Sequence, residues 1–305
     1  MASIISKRLV VIGKKSVGLI LFLVCAIAIY REVIQNQNIE NYGHDLQAKF
    51  VTIKFVYWAL FMVLMLFNLS TEALKWKVVL EDSSPISFKK SIQSVFVGQA
   101  FAFYTPNRLG DYMGRTMMLD NGNKKVAVAK MVWLSYAQLI VTVLLGGIAL
   151  FIRPLFWAWL KWIIPLVLFA MLLLYYISIQ FKGRWHFLNL MQISLQIKNK
   201  LLLFSLLRYS IFLLQYALAA YMLGVQVSIF DLWVSVALLL LSLSVLPCIS
   251  ITEWVVRGQI LILLLGPWCE NSLLLIALST LIWLINLLIP AIIGSFLLLG
   301  FRLKR

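Results

Sequence analysis

The chain has 305 residues, is 63% hydrophobic and 12% charged, and carries a formal net charge of +16. Its mean hydropathy is +0.96, and soluble domains are about 25% charged, so the composition is that of a membrane protein with no room for a soluble catalytic domain. Two His and three Cys without metal-ligand or CxxC spacing argue against a metal site, a cofactor or a disulfide framework, and the lack of a contiguous basic domain argues against nucleic-acid binding.

In chain order, the N-terminus has the outline of a signal peptide: Lys7, Arg8, Lys14 and Lys15 precede the apolar run Ser16–Tyr30. Because the rest of the chain is also apolar, this run reads as a retained first span. Arg31–Lys49 contains Glu32, Glu40 and Asp45 and reads as an outer loop. Apolar runs follow at Phe50–Leu69, Phe88–Tyr104, Val126–Phe151, Trp157–Ile179, Leu201–Leu223, Leu232–Leu246, Val255–Leu265 and Ser272–Gly300. Between them, Lys182–Lys200 reads as a helix lying on the inner leaflet, and Trp157, Trp159, Trp162 and Trp185 read as an interfacial belt.

Positive charge gives the topology. Lys75, Lys77, Lys89, Lys90, Lys124, Lys125 and Lys130 lie on the cytoplasmic side with the N-terminus, so the Phe88–Leu119 region enters and leaves by the same face. Gly224–Phe230 and Gly266–Asn271 lack Lys and Arg, so the Asp231–Leu265 region does the same from the outer face. Arg302, Lys304 and Arg305 put the C-terminus inside. The expected fold is all-α: one transmembrane domain over 1–305, with about six spanning helices plus two re-entrant helical hairpins. Residues of about 14–151 form a first repeat and about 157–300 an inverted second one. Inverted repeats with broken helices at mid-membrane are typical of transporters.

The two hairpins carry the chemistry. Tyr104-Thr105-Pro106-Asn107-Arg108-Leu109-Gly110-Asp111-Tyr112-Met113-Gly114-Arg115 and Leu246-Pro247-Cys248-Ile249-Ser250-Ile251-Thr252-Glu253-Trp254-Val255-Val256-Arg257 both run Pro, acid, then Arg four residues later. Each ionisable group at membrane depth costs roughly 2.5–3.5 kcal/mol on insertion scales. Asp111/Arg115 and Glu253/Arg257 have the i, i+4 spacing of a helical ion pair, acid first. A helix starting at each turn points its N-terminal amides inward, and Arg108, Arg115 and Arg257 add guanidinium forks suited to phosphate. Asn107 joins them as a binding candidate, with Pro106, Gly110 and Pro247 as turn formers. Asp111 and Glu253 either pair with Arg or couple protons. Glu72 with Lys75 reads as an interfacial pair, and Gln99, Gln138, Arg208, Gln215 and Asn286 read as interhelical hydrogen-bond formers.

Asn68…Glu72-Ala73-Leu74-Lys75-Trp76, Gly98-Gln99…Thr105-Pro106-Asn107-Arg108-Leu109-Gly110-Asp111…Arg115, Gln138 and Pro247…Glu253…Arg257-Gly258 together resemble the transmembrane region of lysylphosphatidylglycerol synthases. That flippase-like family is related to the N-terminal half of the multiple peptide resistance factor. The family usually has Glu where this chain has Asp111, and its second motif is richer in glycine than Ser250-Ile251-Thr252. The resemblance implies a bacterial inner-membrane protein that flips or binds lipid. The soluble lysine-transferring domain of full-length relatives has no counterpart here, so synthase activity is not expected.

The expected function is therefore lipid translocation or binding, not enzymatic. Its partner would be a membrane lipid, either an anionic phospholipid or a polyprenyl-phosphate-linked lipid, held by its headgroup at mid-membrane. The alternatives are an intramembrane lipid-phosphate hydrolase or transferase, and a scaffold for a lipid-modifying enzyme partner.

Overall fold

The computed structural model describes residues 22–31, 39–105, 108–119, 124–153, 160–177, 192–246 and 250–302. Pro106, Asn107 and Pro247, the N-terminal basic cluster, most of Lys182–Lys200, and Trp157, Trp159 and Trp185 lie outside them. The described chain is helical and contains no strand. The elements are α1 (Phe22–Arg31), α2 (Ile39–Thr52), α3 (Phe55–Val79), α4 (Phe88–Phe103), α5 (Gly110–Met117), α6 (Lys124–Ile152), α7 (Leu160–Tyr176), α8 (Leu195–Leu223), α9 (Ile229–Val245), α10 (Ser250–Leu265), α11 (Ser272–Trp283) and α12 (Ile289–Arg302). A π-helical turn over Leu284–Leu288 joins α11 to α12 without a break.

Among the described residues, α3, α6, α8 and the continuous α11–α12 rod are long and apolar enough to cross a membrane. They present large apolar side chains outward, among them Phe67, Ile148, Leu203 and Phe296, each about half exposed or more. Exposed apolar surface on every long helix is a liability in water and the normal condition in lipid. The chain is thus an all-helical protein of membrane type.

Three observed boundaries differ from the sequence reading; in one, α8 already starts at Leu195, inside the Lys182–Lys200 stretch read as a separate surface helix. Part of the charged stretch Arg31–Lys49 is helical, since α2 starts at Ile39. Ile39, Tyr42, Leu46 and Phe50 recur at helical spacing there, and Leu46 packs against the main core. The second apolar run ends at Leu69, but α3 continues to Val79, because Asn68, Glu72 and Lys75 are buried against protein.

Two pairs of shorter helices, α4–α5 and α9–α10, lie between long ones. At 16 residues α4 spans about 24 Å, less than a hydrocarbon core of about 30 Å. Ser87 caps it by accepting from the Lys90 amide. Thr105 then splices α4 to α5: its hydroxyl donates to the Phe101 carbonyl at 3.1 Å and accepts from the Gly110 amide at 2.7 Å. The pair α9–α10 is ordered the same way between α8 and α11. Ser228 caps α9 through the Asp231 amide, and Gly224, with φ +65°, ends α8 in the left-handed conformation that glycine adopts without penalty.

Glycines set the spacing of α4, α5 and α12. A Cβ on Gly114 would lie 2.7 Å from the Gly98 Cα, and one on Gly294 would collide with the Phe96 carbonyl. Far from this contact, Arg153 after α6 donates to Asp231 of α9 at 2.5 Å and stacks 4.1 Å over the Trp268 ring. That cluster ties together the ends of α6, α9 and α10.

Candidate functional site

The two charged segments, nearly half a chain apart, meet. Ser250 Oγ, at the start of α10, donates to the Ala102 carbonyl of α4 at 3.4 Å. Trp283, at the end of α11, donates from its indole nitrogen to the Ser250 carbonyl at 2.7 Å. Beside this junction lies a cavity of about 500 Å³ walled by polar side chains from six elements and the turn after α4: Asn68, Gln99, Arg108, Gln138, Arg208, Tyr209, Glu253, Arg257 and Asn286.

Arg108 is the site's most constrained residue. Its φ is +58°, making it the described non-glycine residue with left-handed backbone, a conformation that costs an L-residue roughly 1–2 kcal/mol. Its Nη2 donates to Gln99 Oε1 at 3.0 Å. Its Nε is buried without a partner, and it forms no ion pair among the described residues. Glu253, Arg208, Asp111 and Arg257 all act on it electrostatically. Backbone strain is retained where surrounding structure enforces it, and such positions cluster at functional sites.

Arg257 and Glu253, one helical turn apart on α10, form the expected pair: Arg257 Nε donates to Glu253 Oε1 at 2.9 Å. Arg257 also donates to the Tyr216 hydroxyl at 3.1 Å. Both pair members line the cavity, as does Tyr209, whose buried hydroxyl has no partner.

The first motif's pair forms too, but behind the cavity wall. Arg115 donates to Asp111 from Nε at 2.7 Å and from Nη2 at 2.6 Å. It also donates to Glu72 on α3 at 3.0 Å. Arg115 is 2% exposed and is not a wall residue, so of the three Arg forks expected together, Arg108 and Arg257 share the cavity. Gly110 stands where a Cβ would collide with the Phe101 carbonyl, so its role is the close approach of α5 to α4.

Glu72 and Arg208 have larger places than the sequence reading assigned. The Glu72–Lys75 pair exists, at 3.3 Å, but it is buried, and Glu72 also accepts from Arg115 and from Arg208 Nη1, each at 3.0 Å. Arg208 Nε donates to Asn68 at 2.8 Å, and Lys75 donates to Gln138 at 3.4 Å. Glu72 thus links Arg208 in the cavity wall to Arg115 behind it. The signal available in sequence was Arg208 inside the apolar run Leu201–Leu223 and Glu72 just past the end of Phe50–Leu69; which helices would face each other was not encoded locally. Asn286 reaches the wall from the π-turn, with its amide donating to the Ile282 carbonyl at 3.1 Å. Single π-turns inside α-helices often sit at functional sites.

Among the described residues, no three His, Cys, Asp or Glu side chains converge as metal ligands would. Ser250, the serine of the second motif, is 1% exposed and is not a wall residue. What the geometry offers is a half-polar chamber with three guanidinium groups, suited to gripping an anion. No family model matches this chain, nor does any curated protein or solved structure.

Proposed function

We propose that this protein binds a phosphate-bearing lipid headgroup in the cavity and moves it across a membrane while the acyl chains stay in lipid. The observation that carries the reading is Arg108: a cation held on strained backbone in a cavity wall, without an ion pair among the described residues, sharing that wall with Arg208, Arg257 and Glu253. Guanidinium groups bind phosphate oxygens in pairs of parallel hydrogen bonds. Arg108, Arg208 and Arg257 hold the phosphate in this account. Glu253 orients Arg257, while Arg115, Asp111 and Glu72 brace the wall.

The topology proposed with it has six spans, α4–α5 entering from the cytoplasm and α9–α10 from outside, as an inverted repeat with both termini cytoplasmic. The junction of Ser250 with Ala102 supports it, because hairpins from opposite faces must meet near mid-membrane. The resemblance to flippase-like membrane regions points the same way, to a bacterial inner membrane. The buried position of Ser250 favours transport over lipid-phosphate hydrolysis.

Native mass spectrometry of the purified protein tests the binding step. Phosphate-headed lipid should be retained by the wild type and lost from Arg108→Gly, which removes the guanidinium without straining the backbone. Equal retention by both would remove Arg108 from the site.

A further inference from the structure

Resting on that reading, the charge inventory of the site narrows the headgroup. Lys75, Arg108, Arg115, Arg208 and Arg257 form one connected cluster with Glu72, Asp111 and Glu253. Among the described residues, five cations stand against three acids, an excess of two positive charges. The segments completing the two turns, 106–107 and 247–249, contribute no Asp, Glu, Lys, Arg or His. Uncompensated charge in a partly buried site is costly, and water alone is a poor substitute for a counterion there.

We infer that the cavity is matched to a phosphoryl group carrying two negative charges, a phosphate monoester or a diphosphate, rather than to a singly charged phosphodiester. The donors fit this count. Arg108 Nε is unpartnered, as is the Tyr209 hydroxyl. Arg208 uses Nε and Nη1 on Asn68 and Glu72, which leaves its Nη2 without a partner among the described residues. Gln99 holds Arg108 without neutralising it, because an amide oxygen accepts a hydrogen bond but carries no charge. A Glu at that position would have made an ion pair and reduced the excess to one.

Titrations with three soluble probes test the inference: dihexanoyl phosphatidic acid, dihexanoyl phosphatidylglycerol and glycerol 3-phosphate, each added to the full chain in detergent. At pH 7 the monoester lipid should bind about tenfold more tightly than the diester lipid, since one more charge meets the excess. Its second proton has a pKa of about 6, so its advantage should shrink as pH falls to about 5, where the monoester carries one charge. The phosphatidylglycerol arm reports any titration of Glu72, Asp111, Glu253, Lys75, Tyr209 or Tyr216, which would act on both lipids. Gln99→Glu gives Arg108 an acid partner and should fold at least as well as wild type, while the monoester preference falls severalfold.

Equal affinity for the two lipids at pH 7, with Arg108→Gly weakening both, overturns the dianion assignment and leaves the phosphate-lipid reading standing. Glycerol 3-phosphate binding as tightly as phosphatidic acid does the reverse: the charge match holds, and the ligand is a soluble phosphate. If no probe binds, both readings fall.

Discussion

Arg208 on α8 donates to Glu72 on α3 at 3.0 Å, although the two are 136 residues apart. Because Glu72 also accepts from Lys75 and Arg115, it is the common counterion of three cations. Removing one partner of a buried pair costs about 3–5 kcal/mol, so Glu72→Gln should fold poorly or not at all. Asp111→Asn should be milder, about 1–2 kcal/mol, because Arg115 keeps Glu72 and the Asp111 side chain is 19% exposed. Thermal unfolding and yield in detergent compare the two variants. A larger loss in Asp111→Asn would show that the local pair, not Glu72, holds Arg115.

Arg108 separates backbone strain from side-chain function. Arg108→Gly and Arg108→Ala both delete the guanidinium, but only Gly takes φ +58° freely. Arg108→Gly should be more stable than Arg108→Ala by about 1 kcal/mol, with the same loss of lipid retention. Equal melting temperatures would mean that the turn relaxes out of the left-handed region when the side chain goes.

The contact of α12 with α4 depends on Gly294. Its missing Cβ leaves room for the Phe96 carbonyl, whereas Gly300 has nothing near it. Gly294→Ala should destabilise by about 2 kcal/mol or more, as overpacking does, and Gly300→Ala should be neutral. Paired melting curves decide this, and a neutral Gly294→Ala would show that the helices slide apart without penalty.

What could be read from sequence was local. The spacing of Asp111 with Arg115 and of Glu253 with Arg257 foretold two pairs that form, since residues four apart on a helix face each other. Apolar runs located the long helices to within a few residues, apart from the hidden end of α3. The links that build the cavity are not local. Glu72 is 43 positions from Arg115, and no spacing rule connects them. The left-handed backbone at Arg108 was hidden because Arg, unlike Gly or Asn, does not advertise it. The π-turn carrying Asn286 lies in an unbroken apolar stretch with no glycine or proline between Leu284 and Leu288 to mark it.

The proposed inverted arrangement is open to side-specific labelling. In a background lacking Cys25, Cys248 and Cys269, single cysteines at the exposed positions Lys89, Lys124, Gln226 and Glu270 bracket the two short-helix pairs. Lys89→Cys and Lys124→Cys should react only from the cytoplasm, and Gln226→Cys and Glu270→Cys only from outside. Reaction of Lys89→Cys and Lys124→Cys from opposite faces would make α4–α5 a crossing rather than a hairpin.

The most direct test of lipid movement is a reconstituted one. Vesicles are made with the purified protein and a trace of fluorescent phosphate-headed lipid, and the fraction exposed to an impermeant quencher is followed over time. Wild type should bring inner-leaflet lipid to the outside well above the rate of empty vesicles, and Arg108→Gly, folded and inserted to the same extent, should return the rate to background. A wild-type rate equal to that of empty vesicles, or an Arg108→Gly rate equal to wild type, would contradict the account.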